Sequence, residues 1–272
     1  MVLFPNAKIN LGLHITDKRP DGFHNIETCF FPIGISDVLE FVVSDSDKAI
    51  TYSGIAIPGN PLENLCIKAW KLLNEKYSLP AVSIHLHKCI PIGAGLGGGS
   101  SDAAFMLKGL NNYFKLGLET GELEHYASQL GSDCAFFIRN TASYATGRGE
   151  VLTPINLSLN GYKFVLVKPE THISTPEAYS MVKPKVPDIS LAESLHLPVE
   201  KWMGTIKNDF EEGLFGKYPQ IAAIKESLLA SGAVYAAMSG SGSSVFGIFK
   251  NNIPENLRAK FKGLYYWQEN QE

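Results

Sequence analysis

Residues 91–102 read Pro91-Ile92-Gly93-Ala94-Gly95-Leu96-Gly97-Gly98-Gly99-Ser100-Ser101-Asp102. Four glycines within five positions, Gly95, Gly97, Gly98 and Gly99, free the backbone to take positive φ and to approach a ligand closely. Downstream, Ala103, Met106, Leu107, Leu110 and Phe114 recur at helical spacing, so the segment opens onto a helix that Ser100 or Ser101 can cap. Unpaired amides at the positive end of a helix favour a phosphate. A strand-to-helix turn without a ligand is the plainer reading, but turns rarely need so many glycines.

Context excludes the two commonest phosphate loops. Gly93-Ala94-Gly95-Leu96-Gly97-Gly98 satisfies G-x-G-x-x-G, yet a dinucleotide fold needs an acidic residue at a strand end about 20 positions on, and Glu119 and Glu122 lie in polar turn-and-helix sequence. A Walker A loop needs Gly-Lys-Ser/Thr, and no lysine follows these glycines.

Upstream, Ala7, Ile9, Leu11 and Leu13 alternate with Lys8, Asn10, Gly12 and His14, the period of a strand with one buried face and with Lys8 and Asn10 sharing the other. The turn formers of residues 17–22 lead to Phe23-His24 and an apolar run from Cys29 to Ile35. Strands are predicted at 38–43 and 82–90, with an amphipathic helix over 64–73. Another helix is predicted over 121–130, with Gly131 as a C-cap. Beyond it the pattern gives a strand at 163–167, helices at 175–181 and 220–230, and a strand pair, 234–238 and 245–249, around Ser239-Gly-Ser-Gly-Ser-Ser244. That loop is by itself an ordinary turn composition. The turn-rich stretch 153–161 marks a boundary, giving domains 1–155 and 156–272.

With 45% hydrophobic and 19% charged residues the chain of 272 is of globular composition, long enough for two cores. A net charge of −3 offers no broad footprint for nucleic acid. Cys29, Cys66, Cys89 and Cys134 are widely spaced, which suggests reduced thiols rather than zinc or a disulfide framework. His85 and His87 have metal-like spacing but no identifiable third ligand. No signal peptide or membrane-length apolar run is read, so the expected compartment is the cytoplasm, with no membrane partner.

Three segments, Pro5-Asn-Ala-Lys-Ile-Asn-Leu-Gly-Leu13, Pro91 to Ala104, and Met238 to Phe249, occur in the order found in the galactokinase, homoserine, mevalonate and phosphomevalonate (GHMP) kinases, and the chain resembles that superfamily. Within it, Arg19-Pro-Asp-Gly-Phe-His24 and Gly-Leu-Gly-Gly-Gly-Ser-Ser are similar to the branch acting on a cytidine diphosphate-linked methylerythritol. Glu63-Asn64-Leu65, Gly131-Ser132-Asp133, Thr175-Pro176 and Asn208-Asp209-Phe210-Glu211 extend the likeness over most of the chain. The resemblance implies an α+β fold of two domains, the N-terminal one like domain 2 of ribosomal protein S5 and the C-terminal one ferredoxin-like. It also implies ATP as donor with Mg2+, and a small-molecule acceptor.

Residue by residue, the resemblance makes Lys8 and Asp133 the catalytic pair. It makes Pro91, Ile92, Gly93, Ala94, Gly95, Leu96, Gly97, Gly98, Gly99, Ser100 and Ser101 the ATP segment, with Asn64 and Lys88 near adenine. Phe23 and Tyr179 would stack on cytosine, His24 would hydrogen-bond it, and Asn10 and Thr175 would contact the rest of the substrate. Phe23 stands where tyrosine is common in the family, and Tyr179 where phenylalanine is; both keep an aromatic face. Asp102 replaces an amide found in some members, setting a carboxylate at the start of the phosphate-binding helix. Phosphoryl transfer needs alignment and charge neutralisation more than covalent chemistry, and a lysine and an aspartate supply the two charges. Alone, Lys8 would read as a surface lysine and Asp133 as a turn residue. A mevalonate- or homoserine-type kinase, or a silent nucleotide-binding protein on this fold, are the competing readings.

Overall fold

A computed structural model of the chain describes residues 1–44 and 50–270, which form a mixed α+β fold. In chain order, β1 (Val2–Leu3), β2 (Asn6–Lys18), β3 (His24–Ser36), β4 (Val38–Val43) and β5 (Ile50–Gly54) precede α1 (Leu65–Tyr77) and β6 (Val82–Lys88). Next come α2 (Gly98–Tyr113), α3 (Thr120–Leu130), α4 (Phe136–Arg139), β7 (Ser143–Thr146), β8 (Val151–Pro154) and β9 (Lys163–Lys168). The remainder is α5 (Thr175–Ser180), α6 (Leu191–Ser194), α7 (Phe210–Lys217), α8 (Pro219–Ala230), β10 (Tyr235–Met238), β11 (Val245–Phe249), α9 (Leu257–Lys260) and β12 (Tyr265–Asn270).

Two compact units emerge, each discontinuous in sequence: Met1–Lys8, Gly34–Ile92 and Gly97–Thr141 in the first, Ile9–Ile33, Gly93–Leu96 and Ala142–Glu272 in the second. A single cut between residues 155 and 156 does not reproduce them. The sheet β2-β3-β7-β8 ties residues 9–33 to β7 and β8, with Thr28 opposite Ala145 and Cys29 opposite Tyr144.

The first unit holds the sheet β1-β4-β6-β5, in which only the β5–β6 pairing is parallel. Along β6 the two-residue period turns Val82, Ile84, Leu86 and Lys88 inward, leaving Ser83, His85 and His87 partly exposed. His85 and His87 do share a face, where they bond Thr51 and Ser53. The α1 helix starts at Asn64, whose side chain accepts from the Cys66 amide at 2.9 Å, and buries Ile67, Trp70 and Leu73. Neither Ser100 nor Ser101 caps α2: Gly97, left-handed at φ 69°, precedes its first residue, Gly98. Asp102 is thus the fifth helical residue, past the first turn. Gly131 follows α3 as expected but at φ 171°, extended backbone rather than a left-handed cap.

In the second unit a sheet ordered β10-β11-β9-β12 is antiparallel throughout, with Val245 opposite Val167 and Tyr266 opposite the same residue from the other side. Its core gathers Leu13, Ile15, Ile26, Val165, Phe210, Ile221, Leu228 and Met238. Such side chains each contribute roughly 1.5–3 kcal/mol when fully buried. Both faces of β2 are covered, contrary to the one-sided expectation: Lys8 is 3% and Asn10 2% exposed. Among the described residues no helix is long and apolar enough to cross a membrane.

Candidate active site

Lys8 reaches Asp133 at 3.5 Å within the first unit. Burial pushes the Lys8 ammonium down from its ordinary value, and the Asp133 charge opposes that shift. Asp133 itself keeps about a third of its side chain exposed, 32%, so a buried cation is presented beside an accessible carboxylate. Gly97 closes the approach, since a Cβ there would lie 3.2 Å from Lys8 Cε and 3.0 Å from the Phe137 ring. One residue on, the amides of Gly98 and Gly99 begin α2, and Ser101 Oγ is buried without a hydrogen-bond partner.

Beneath that helix start lies a charge cluster. Lys88, 3% exposed, donates to Asp37 and, at 2.8 Å, to Asp102. Asp37 also accepts the amides of Cys89 at 2.6 Å and Ile90 at 2.9 Å, which ties the end of β6 to the chain entering the glycine segment. A Cβ on Gly98 would sit 3.2 Å from Lys88 Nζ, so this cluster packs directly against the first residue of α2.

Gly93, Ala94, Gly95 and Leu96 belong to the second unit, where the Ser239–Ser244 loop holds them. Ser239 Oγ donates to Gly95 O at 2.8 Å and accepts from Asn10 N, and Ser244 N donates to Ala94 O. The Asn10 side chain donates to Thr28 Oγ1 at 2.8 Å. Thr175 Oγ1 is 3.4 Å from Ser241 Oγ.

His24 and Tyr179 come together in this unit, stacked with ring centroids 4.9 Å apart. Burial and the Lys18 charge push the His24 imidazole down, so near neutrality it can donate or accept as a neutral ring. Phe23 is 55% exposed and lies under the Arg148 guanidinium, 4.9 Å from the ring centre. An exposed aromatic held by a cation is a platform for a flat ligand.

Models of the GHMP kinase N-terminal and C-terminal domains match residues 64–141 and 191–266. The chain belongs to the GHMP kinases. Curated relatives from Bacteroides fragilis (54% identical, 92% of each chain) and Parabacteroides distasonis (51%, 98% of each) are both named 4-diphosphocytidyl-2-C-methyl-D-erythritol kinase. A crystal structure of 4-(cytidine 5′-diphospho)-2C-methyl-D-erythritol kinase superposes with TM-score 0.82 at 31% identity over 98% of both chains. A crystal structure of mevalonate kinase, at TM-score 0.73 and 14% identity, shares the fold. This GHMP kinase is therefore a phosphotransferase whose family uses ATP as donor.

Several residues of the kinase escaped the sequence reading. Asp37 lies more than fifty positions from its partners Lys88, Cys89 and Ile90, and Arg148 and Thr28 likewise lie away in sequence from Phe23 and Asn10, which they touch. Asp102, whose role the sequence left open, is explained by Lys88.

Burial pushes the Asp102 carboxyl up to about 7, outweighing Lys88, which it shares with Asp37. The folded kinase therefore binds more protons at this position than the unfolded chain between pH ~4 and ~7. The stability contributed by the protonated form is present in acid and lost as pH rises through 7. Asp102→Asn cannot ionise, so from pH 5 to 8 its unfolding free energy should gain on that of the wild type by on the order of a few kcal/mol. Urea midpoints at several pH values measure this; a difference independent of pH would contradict it.

Proposed function

We propose that this kinase transfers the γ-phosphoryl group of ATP to the 2-hydroxyl of 4-diphosphocytidyl-2-C-methyl-D-erythritol, giving the 2-phosphate and ADP, in isoprenoid precursor synthesis by the non-mevalonate pathway. The observation that carries the chemistry is the Lys8–Asp133 pair at 3.5 Å beside Gly97. Asp133 orients the acceptor hydroxyl and receives its proton, while the buried Lys8 ammonium stabilises charge at the reacting oxygens. In a loose transition state the proton leaves late, so a weak base suffices. The shared name of the relatives and the His24–Tyr179 pair with Phe23 support the acceptor's identity.

In this reading Pro91–Ser101 wraps the triphosphate, with amides at the start of α2 facing its charge. Lys88 and Asn64 act from beneath, Lys88 through Asp102 and Asn64 as the cap of α1. Magnesium, which neutralises charge on the phosphates, would be held by the Asp133 carboxylate, about a third exposed, with help from Ser100; a single accessible hard oxygen donor of this kind suits an ion that keeps phosphate oxygens and waters. The buried thiols of Cys29, Cys66 and Cys134 suit a reducing cytoplasm.

ATP consumption with the cytidylyl substrate, mevalonate and homoserine in parallel tests the assignment, with 31P NMR of the product locating the new phosphate. Stimulation by the cytidylyl substrate alone is expected. Turnover with mevalonate or homoserine instead would replace the acceptor, and ATP binding without turnover on any of the three would make this a silent nucleotide-binding protein.

A further inference from the structure

The tetrapeptide Asn208-Asp209-Phe210-Glu211 has no part in the chemistry above, yet each of its side chains ends on a different piece of the second unit. Asn208, 3% exposed, uses both amide protons on the loop, donating to Met238 O and Gly240 O at 2.8 Å each, while its oxygen accepts from Phe210 N at 3.0 Å. Glu211 accepts the Met238 amide at 2.7 Å and pairs with Lys225 at 2.5 Å. Asp209 accepts the Ile15 amide at 2.8 Å and faces His14 Nδ1 at 3.2 Å, so it grips β2. Backbone bonds from Leu13 N to Lys207 O and from Asp209 N to Leu13 O strengthen that grip. Phe210 meets Tyr179 edge-on, centroids 5.0 Å apart and planes at 89°, on the ring that stacks with His24.

A packed core needs none of these polar groups. Met238 ends β10, and the carbonyls on either side of Ser239 leave the sheet ladder; buried, they would lack partners without Asn208. Ser239 is the residue whose hydroxyl holds Gly95. The tetrapeptide thus reaches the glycine segment by one route and the aromatic pair by another.

We propose that Asn208–Glu211 is a positioning hub, with Asn208 and Glu211 setting the loop that braces Gly95 for the phosphate donor and Phe210 setting Tyr179 for the acceptor base. Its acceptor half rests on the cytidylyl substrate proposed above. The two halves act through different contacts and are separable.

Steady-state kinetics of Asn208→Ser and Phe210→Leu test this, with thermal melts to establish that each is folded. Losing one edge-to-face ring contact should raise KM for the cytidylyl substrate roughly two- to tenfold in Phe210→Leu, with KM for ATP within about twofold of wild type. Losing an amide that serves two carbonyls should raise KM for ATP about tenfold in Asn208→Ser, with the acceptor KM nearly unchanged. A merely structural role would lower the melting temperature and move both KM values together, or neither, and either result overturns the hub. Calorimetric titration of the wild type with cytidine 5′-diphosphate separates the two levels. If the wild type binds it and Phe210→Leu binds it equally well, the acceptor half of the hub is wrong and the substrate assignment stands. If the wild type ignores it, the substrate assignment falls together with the acceptor half, and Asn208→Ser decides the donor half by itself.

Discussion

Asp133→Asn should lower kcat by roughly 10²- to 10⁴-fold, the span expected for losing a positioned proton acceptor, while KM for ATP changes little. The amide matches the carboxylate in size and can still accept a hydrogen bond, so orientation of the hydroxyl is partly kept and the capacity to take its proton is lost. A second effect runs through Lys8. Burial disfavours its charged form, and the Asp133 charge is what opposes that. Without the carboxylate the ammonium loses its proton at lower pH. In the proposed mechanism the lysine acts charged, and its contribution is lost as pH rises through its pKa, so the alkaline limb of kcat should move to lower pH in the variant. Rapid-quench single turnovers across pH separate chemistry from product release. With the pair acting as the proposed unit, Lys8→Met combined with Asp133→Asn should be scarcely slower than the worse single variant. A near-normal kcat in Asp133→Asn would remove the assigned role.

How far such a site can be read from sequence depends on how local its causes are. The glycine segment, the strand after Asn6 and the helix after it announce themselves through composition and period. Lys88 shares the inward parity of Val82, Ile84 and Leu86, so its burial was legible; its partner was not, because Asp37 reaches Cys89 and Ile90 from more than fifty positions away. Serine capping failed for a physical reason: Gly97 in the left-handed region turns the chain into α2 without a side-chain acceptor. The α7 helix hid behind Gly213 and Gly216 within eight residues, and β12 behind Gln268 and Glu269, since tertiary packing rather than propensity forms both. The family resemblance supplied Lys8 and Asp133 as a pair, which no spacing rule could have joined across 125 positions. It did not supply the Asn208–Glu211 contacts, which come from the fold.

Gly95→Ala should be the most damaging single-methyl change in the glycine segment. Its φ of 77° lies where L-residues are strained, at a cost of roughly 1–2 kcal/mol, and the added Cβ would fall 1.9 Å from Ser239 O and 2.8 Å from the Ser239 carbonyl carbon. Backbone cannot rotate aside as a side chain can. Ser239 is fully buried, its amide is bonded to Ser244 O, its hydroxyl to Gly95 O, and the carbonyls before and after it to Asn208. Relief therefore means breaking several of these bonds at once, and a total loss of about 3 kcal/mol or more is expected, on the order of 10 °C in melting temperature. Gly99→Ala is the matched comparison: the nearest atom to its Cβ would be Leu65 Cδ1 at 3.9 Å, and the position is already helical, so stability should hold or rise by up to about 1 kcal/mol. Gly97→Ala falls between them, because it shares the left-handed φ but meets the side chains of Phe137 and Lys8, which can yield. Melts of the three variants should rank them 95, 97, 99 from least to most stable. If Gly95→Ala melted with the wild type, the Ser239 loop would have to be free to move, and the brace on the glycine segment would not exist.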